Sequence, residues 1–196
     1  KPSSKQMNEK HIELHRTPLK TITSKFHIFG DNIDTDAIIP GEFCYLPTEK
    51  ELGEKAFYHF RPSFYEETSK SNRTIITANH GWGTGSSREE AVKALKGAGI
   101  QAIIAKSINY IHWRNLINGA VPNIIIEDSK FYEIINSNRD EIISINFNEG
   151  KLLIPSAQYS LSFTPYEGII RGIYEANGIV RVFLQANTLT FHALTA

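Results

Sequence analysis

Short apolar segments that alternate with helical patterns along residues 74–138 are the feature that most restricts the fold of this chain. The segment IQAIIAKS at 100–107 is apolar along nearly its whole length, which is typical of a strand buried in a parallel sheet. Parallel neighbours need a crossover connection, which is usually a helix. The alternation therefore predicts an α/β fold. The predicted strands are 74–78, 100–107 and 123–127, and the predicted helices are 87–97, 108–120 and 129–138.

The segments on either side of this region complete the predicted fold. They are a strand at 25–30, a polar loop at 31–40, a helix at 48–60, short strands at 141–147 and 151–156, and a last helix at 164–177. Asn-Glu-Gly between the two short strands predicts a hairpin. The last helix is predicted to begin at a Pro after a Thr cap and to end at Asn177-Gly178.

The ends of the chain differ from its middle in composition. Residues 1–24 are polar and lack a sustained period, so they are interpreted as a tail or linker. We expect one folded domain at 25–187 and a C-terminal tail at 188–196.

Composition excludes several classes of function. Lys plus Arg and Asp plus Glu both number 21, so no global charge attracts nucleic acid. No apolar run approaches the roughly 20 residues that span a bilayer, and we expect no membrane partner. The one cysteine, Cys44, excludes an internal disulfide and an iron–sulfur cluster built from this chain alone. A cytoplasmic location and a buried, small apolar role for Cys44 fit this composition best.

The turn before the helix at 87–97 has a structural interpretation. Ser86 with Glu89, and Ser87 with Glu90, form two overlapping capping-box patterns. One serine could therefore simply cap the helix.

The same turn also has a functional interpretation. Gly81, Gly83 and Gly85 let the backbone approach a ligand closely, and Arg88 can offer two parallel hydrogen bonds to a carboxylate or phosphate. The first N–H groups of a helix favour an anion. The glycine spacing matches neither a P-loop nor a dinucleotide-binding motif. The sequence therefore predicts an anion site without naming the anion.

Three motifs, taken together and in order, carry a resemblance to a known family. They are GDNIDTDAIIP at 30–40, GTGSSREEAVKALKGAGIQAIIAKSI at 83–108 and RNLINGAVP at 114–122. Over about residues 25–185 the chain resembles the small subunit of 3-isopropylmalate dehydratase, the swivelling domain of the aconitase superfamily. The resemblance implies a β/β/α three-layer domain with a mostly parallel sheet and a C-terminal hairpin and helix.

The resemblance also implies an activity and a partner. It implies a hydro-lyase that interconverts 2-isopropylmalate and 3-isopropylmalate by dehydration and rehydration, a step of leucine biosynthesis. A large subunit would carry a 4Fe-4S cluster, whose iron would act as a Lewis acid on the small dicarboxylate substrate. The two subunits would form a heterodimer or heterotetramer, and the small chain alone would be inactive.

The family motifs assign roles to individual residues. Ser86 would be the base that removes the proton next to a carboxylate, and Asp36 would lie near the leaving hydroxyl. Ser87 and Arg88 would bind a substrate carboxylate, and Thr84 would line the pocket. A helix dipole contributes at most about 2 kcal/mol. The remaining activation of Ser86 must therefore come from other donors, desolvation and the partner.

Substrate choice is expected to lie in YLPT at 45–48. In the resembling enzymes an arginine in this loop selects an added carboxylate, whereas this chain has Pro47. We therefore favour 3-isopropylmalate over homoaconitate or citrate, and a dimethylmalate-type substrate stays open. The chain departs from the family pattern at Thr84, where many members have Cys, at Glu90, where many have His, and at Asn177, where Gly is usual.

Two further alternatives remain from the sequence. One is an independent α/β enzyme that binds a phosphorylated substrate, and the other is a non-catalytic anion-binding module. Ordinary structural roles are expected for the remaining polar and aromatic candidates, which are Asp31, Asp34, His80, Trp113 and Arg114.

Overall fold

The computed structural model describes residues 19–185. The strands are β1 Ile22–Ile28, β2 Arg73–Ala78, β3 Ala102–Ala105, β4 Asn123–Ile125, β5 Ile143–Asn146, β6 Lys151–Ile154 and β7 Tyr159–Ser162. The α-helices are α1 Thr35–Ile38, α2 Glu49–Glu54, α3 Phe64–Ser71, α4 Glu89–Gly97, α5 Tyr110–Asn118, α6 Ser129–Ser137 and α7 Gly168–Glu175. Short 3-10 helices lie at Gly41–Phe43 and Pro155–Ala157, and residues 179–185 are also helical.

The strands form one sheet in the order β4-β3-β2-β1-β5-β6-β7. Strands β1 to β4 are parallel, whereas β5, β6 and β7 continue the sheet as an antiparallel ribbon. Ile22 to Ser24 of β1 pair with β5, and Lys25 to Ile28 pair with β2, with a shift of register between Lys25 and Phe26. Strand β1 thus joins the two parts, and the sheet curls there.

The parallel strands are buried on both faces because successive side chains point in opposite directions. In β2, Ile76 belongs to one core with α2, α4 and α5, while Ile75 belongs to a second core with α6 and the ribbon. Ile103 and Ile104 of β3 are divided between the two cores in the same way. The apolar run at 100–107 is explained by this double burial. Helices, parallel sheet and ribbon form three layers, and the predicted α/β class is confirmed.

Two boundaries differ from the sequence prediction. Strand β1 begins at Ile22, inside the segment that was expected to be a tail, because Ile22 is buried and pairs with Ile145. The helix predicted at 48–60 is an α-helix only over Glu49–Glu54. Phe57 has φ 56° in the turns that follow, a conformation that no α-helix includes.

The C-terminal part also departs from the prediction. The predicted hairpin is a three-stranded ribbon, since β7 adds to β6 after the turn at Pro155–Ala157. The last helix begins at Gly168 with Glu167 as its N-cap, so the predicted start at Thr164-Pro165 is wrong. Pro165 instead lies beside Gly150, where an added Cβ would be 3.0 Å from the proline ring.

The predicted end of that helix is confirmed. Asn177 and Gly178 have φ of 59° and 122°. The Gly178 N–H donates to the Ile173 carbonyl at 2.9 Å, and the Asn177 N–H donates to the Tyr174 carbonyl at 3.0 Å. This pair of bonds is a Schellman motif, which closes a helix end. No helix within residues 19–185 has the length and apolar character needed to cross a bilayer. The tail expected at 188–196 lies outside the described residues.

His27 and His112 make the stability of the fold depend on pH. Both are buried, and burial lowers the pKa of each to about 4; at His27 the Arg61 guanidinium adds to this effect and Glu67 opposes it. In the unfolded chain a histidine has a pKa of about 6.5. Between these values the unfolded state binds more protons, so stability falls as the pH is lowered.

We therefore expect urea unfolding to give a smaller free energy at about pH 5 than at about pH 7.5, by about 2 kcal/mol for each buried histidine. The variant His27→Gln should lose roughly half of this difference, because it keeps a hydrogen-bonding group beside Thr68 but has no titrating ring. Equal pH dependence in the variant and the wild-type chain would contradict the assignment to His27.

Candidate active site

Three loops meet where β1, β2 and β3 end at their carboxyl edge. They are the residues 29–34, 79–88 and 106–109. In open α/β sheets this edge is the usual place for a ligand. The second loop contains the glycine and serine turn that the sequence singles out.

The first loop holds one side of the turn through its backbone. The Asn32 N–H donates to the His80 carbonyl at 2.7 Å, and the Gly83 N–H donates to the Ile33 carbonyl at 2.7 Å. These bonds extend the pairing of β1 and β2 beyond the strands. The entry to the turn is therefore an extension of the sheet.

Thr35 holds the end of the turn. It is fully buried, its N–H donates to the Thr84 carbonyl at 2.9 Å, and its Oγ1 donates to the Ser86 carbonyl at 3.1 Å. A Cβ on Gly85 would come within 3.2 Å of Thr35 Oγ1, and Gly85 has φ +94°. Glycine at this position thus allows the close approach of Thr35. The sequence analysis expected a ligand to be the group approached, and that expectation stays a prediction.

The third loop holds the other side of the turn. The Trp82 N–H donates to the Ser107 carbonyl at 3.1 Å, and the Asn109 N–H donates to the Trp82 carbonyl at 2.8 Å. Ser107 Oγ also accepts the Gly81 N–H at 2.8 Å. The turn is thus bound from both neighbouring loops before it reaches Ser86.

Arg88 and Asp36 form an ion pair at the rim of the turn. Arg88 Nη1 donates to Asp36 Oδ1 and, at 3.3 Å, to the Ile39 carbonyl. A Cβ on Gly41 would lie 3.5 Å from Arg88 Nη2, so the guanidinium rests on the backbone that follows α1. The structure brings the two predicted site residues together. A carboxylate ligand at Arg88 would bind beside Asp36 or compete with it.

The capping interpretation of Ser86 and Ser87 is wrong. Helix α4 begins at Glu89, Arg88 is its N-cap, and no side chain caps its N–H groups. The Ser86 carbonyl accepts hydrogen bonds from Thr35 and from the Arg88 N–H, which delays the start of the helix by two residues. Both serine side chains are exposed and lie on the turn.

Thr84 and Pro47 differ in their burial and in their contacts. Thr84 is half-buried, and its backbone forms a bridge with Asp34. Pro47 is exposed on the segment that leads away from Gly41, next to the well-exposed Tyr45. Within residues 19–185 no hydrogen bond joins Pro47 to the turn.

The aspartates expected to have structural roles do have them. Asp31 Oδ1 accepts the His80 N–H at 2.9 Å, and Asp34 Oδ1 accepts the Ala37 N–H at 2.6 Å and caps α1. The part of the chain that the structure describes contains no group of three or more His, Cys, Asp or Glu side chains that could hold a metal ion.

The other candidates have ordinary surroundings. Trp113 packs with Ile117 and Ile173 in a small core beneath the C-terminal helix, and Arg114 is exposed. Cys44 is half-buried, and burial raises the pKa of its thiol. A thiol with a raised pKa is a poor nucleophile at neutral pH.

Thr35 and His112 are site residues that the sequence analysis did not find. His112 lies in the first turn of α5, is 2% exposed and packs against Gly83. The available signal was its spacing of four residues from Leu116, which places both on the buried face of the helix. For Thr35 the sequence signal was its position between Asp34 and Asp36. Both aspartates are exposed, whereas the threonine between them is buried.

A groove of about 440 Å³ begins at Glu89, one residue after the turn, and its lining does not include residues 84–88. It is bounded by α4, the end of α5 and the start of the helical residues 179–185. Two lysines in its lining are paired with glutamates, Lys93 with Glu89 and Lys96 with Glu49. The size of this groove gives no reason to place the chemistry there.

The sequence and the fold correspond to a known class of domain. Residues 19–128 match the family described as the aconitase C-terminal domain. This match covers more than half of the chain, so the chain belongs to that family.

Individual relatives show which proteins of this family the chain is similar to. The 3-isopropylmalate dehydratase small subunit of Halothermothrix orenii is 32% identical over 152 residues, which are 78% of this chain and 88% of that protein. The methanogen homoaconitase small subunit of Methanothermobacter thermautotrophicus is 34% identical over 157 residues, which are 80% of this chain and 87% of that protein. The predicted resemblance to dehydratase small subunits is confirmed.

A solved structure supports the same relation. The crystal structure of 3-isopropylmalate dehydratase from Methanocaldococcus jannaschii has a TM-score of 0.76 and 30% identity to this chain. The match covers 89% of this chain and 99% of that one. The relatives are thus named for a hydro-lyase of the aconitase family, as the sequence motifs predict.

The absence of a serine cap on α4 predicts the stability of two variants. Ser86→Ala and Ser87→Ala should each change the free energy of unfolding by less than about 0.5 kcal/mol, because neither side chain bonds the helix. Asp128→Ala is the matched control, since Asp128 does cap α6, and it should cost about 1 kcal/mol. A loss at either serine equal to the loss at Asp128 would restore the capping role.

Proposed function

We propose that this chain is the small subunit of a hydro-lyase that interconverts 2-isopropylmalate and 3-isopropylmalate in the cytoplasm. The observation that carries the proposal is the exposed Ser86-Ser87 turn beside the ion pair of Arg88 and Asp36 in a domain of the aconitase family. Solvent-facing side chains at a turn that is tied down on both sides can meet a substrate held by another subunit.

The turn offers a carboxylate several donors. Because no side chain caps α4, its first N–H groups stay available for an anion. The Ser87 hydroxyl and the Arg88 guanidinium would bind the same carboxylate, with Thr84 at the edge of the pocket. These contacts would fix which carbon of the substrate faces Ser86.

Ser86 Oγ would accept the proton from the carbon next to that carboxylate. The C–H and C–OH bonds break, a C=C bond forms, and the proton and hydroxide leave as water. Addition of water in the opposite sense moves the hydroxyl to the neighbouring carbon. Asp36 would lie near the leaving hydroxyl, where its carboxylate can hold a proton.

Ser86 cannot act as a base in this chain by itself. The dipole of α4 contributes at most about 2 kcal/mol, little more than one pKa unit. A serine hydroxyl needs a much larger shift to ionise near neutral pH. Desolvation and further donors must come from a second subunit that closes over the turn.

The residues present do not fit a cluster held by this chain. Iron–sulfur clusters are bound mainly by several thiolates, whereas the sequence has only Cys44, whose thiol has a pKa raised by burial. The proposed 4Fe-4S cluster therefore belongs to the large subunit, with which this chain would form a heterodimer or heterotetramer.

Pro47 supports an alkyl-ended substrate. The loop offers no cation at this position, so a third carboxylate would lose a charge-assisted hydrogen bond worth about 1.5–3 kcal/mol. An isopropyl group can be buried without that loss. The relation to a homoaconitase small subunit makes homoaconitate the second candidate substrate.

The first experiment reconstitutes the chain with an iron–sulfur large subunit under anaerobic conditions. The chain alone should be inactive, and the pair should isomerise 3-isopropylmalate. Ser86→Ala should lower kcat by at least about 10³-fold, because the base is lost. Ser160→Ala is the matched control, since Ser160 is an exposed serine on β7, and it should keep wild-type kcat.

Two results would contradict the proposal. Turnover by the iron-free chain alone would favour an independent enzyme. A stable chain that neither binds a large subunit nor supports turnover would favour a non-catalytic anion-binding module.

The substrate assignment has its own test. Pro47→Arg should shift the ratio of kcat/KM for 3-isopropylmalate and homoaconitate at least about tenfold toward homoaconitate, or roughly 1.4 kcal/mol of transition-state binding. A cation at the variable end of the pocket would pair with the added carboxylate and disfavour the isopropyl group. Both substrates are assayed with the same large subunit. An unchanged ratio with both activities measurable would mean that residue 47 does not face the substrate.

A further inference from the structure

His112 is a buried polar side chain that no described partner satisfies. It is 2% exposed, and within residues 19–185 neither Nδ1 nor Nε2 has a hydrogen-bond partner. Burial lowers its pKa to about 4, so the ring is neutral near pH 7, with one N–H donor and one acceptor nitrogen. Two unmade hydrogen bonds in a core cost folding free energy, and an apolar side chain of similar size would avoid that cost.

The ring lies directly against the turn of the candidate active site. A Cβ on Gly83 would be 2.3 Å from both Cδ2 and Cγ of His112, so the ring occupies the space that a side chain at residue 83 would need. Gly83 has φ +73° and stands three residues before Ser86. The imidazole therefore packs directly against the backbone of the turn at Gly83.

The turn has backbone groups that match the unused nitrogens. The carbonyls of Gly83 and Gly85 have no hydrogen-bond donor among residues 19–185. Both residues are glycines with positive φ, so their peptide groups can rotate at low cost. The Thr35 bonds hold the carbonyls of Thr84 and Ser86, so a rotation of the Gly83 or Gly85 peptide group would turn its carbonyl toward the imidazole while the rest of the turn stays in place.

We propose that His112 is a positioning residue, which donates a ring N–H to a carbonyl of the Gly83–Gly85 turn when substrate and large subunit close over it. The bond would hold Ser86 and Arg88 in their working positions. The inference rests on the proposed function. In the assembled enzyme a ring nitrogen of His112 would make a hydrogen bond. In the free chain both nitrogens are unsatisfied among the residues that the structure describes, and this lowers the free energy of unfolding.

The variants His112→Leu and His112→Gln test this role in the reconstituted complex. Leucine fills similar space without polar atoms, so the free chain should melt at the same temperature as wild type or higher, while kcat falls at least tenfold and KM changes less than threefold. Glutamine keeps an N–H donor and should recover at least a third of wild-type kcat. His27→Leu is the control, because His27 is also a buried histidine but is hydrogen-bonded to Thr68 instead of packing against the turn. This variant should lower the stability of the chain without lowering kcat.

A measurement on the wild-type complex covers the case in which the leucine variant does not fold. With ¹⁵N-labelled histidine, the His112 ring N–H signal should shift downfield and exchange more slowly when the large subunit and 3-isopropylmalate are added. An unchanged signal, or wild-type kcat in the leucine variant, would overturn the positioning role alone. Failure of the wild-type pair to turn over 3-isopropylmalate would overturn the proposed function and this role with it.

Discussion

The two hydrogen bonds of Thr35 are the contact on which the candidate site depends. Thr35 donates its Oγ1–H to the Ser86 carbonyl and its N–H to the Thr84 carbonyl. The loop after β1 therefore holds the turn after β2. A buried donor left without its acceptor costs about 1–3 kcal/mol, and the turn is therefore kept in one place. The bond from Thr35 Oγ1 occupies the Ser86 carbonyl, which keeps Ser86 out of α4 and its side chain in solvent.

The charges of the site follow from this arrangement. Helix α4 starts at Glu89 without a capping side chain, and Arg88 at its N-cap turns its guanidinium to Asp36 on α1. The positive end of α4, one guanidinium and one carboxylate thus lie together at the carboxyl edge of the parallel sheet. Because Asp36 is largely exposed, this pair adds little stability, and its importance would be chemical.

Two sequence interpretations failed for one physical reason, which is that contacts distant in sequence outweighed local preference. Ser86 and Ser87 have the spacing of capping boxes, yet the bond from Thr35 competes for the same segment. The Thr-Pro pair at 164–165 has the pattern of a helix start, yet Pro165 packs beside Gly150 on the ribbon. His112 was missed because a single polar residue in an amphipathic helix gives no sign of what it packs against.

The sequence by itself determined the α/β class, the order of the main elements and the helix end at Asn177-Gly178, because alternating apolar periods and glycine-type turns act over a few residues. It also identified the family, since three ordered motifs are specific. Only the tertiary structure decided that Arg88 meets Asp36, that Thr35 holds the turn and that His112 lies beneath Gly83. Each of these contacts joins segments that are far apart in the sequence and that become neighbours only through the crossover connections between parallel strands. A pattern that extends over a few residues cannot predict such a contact.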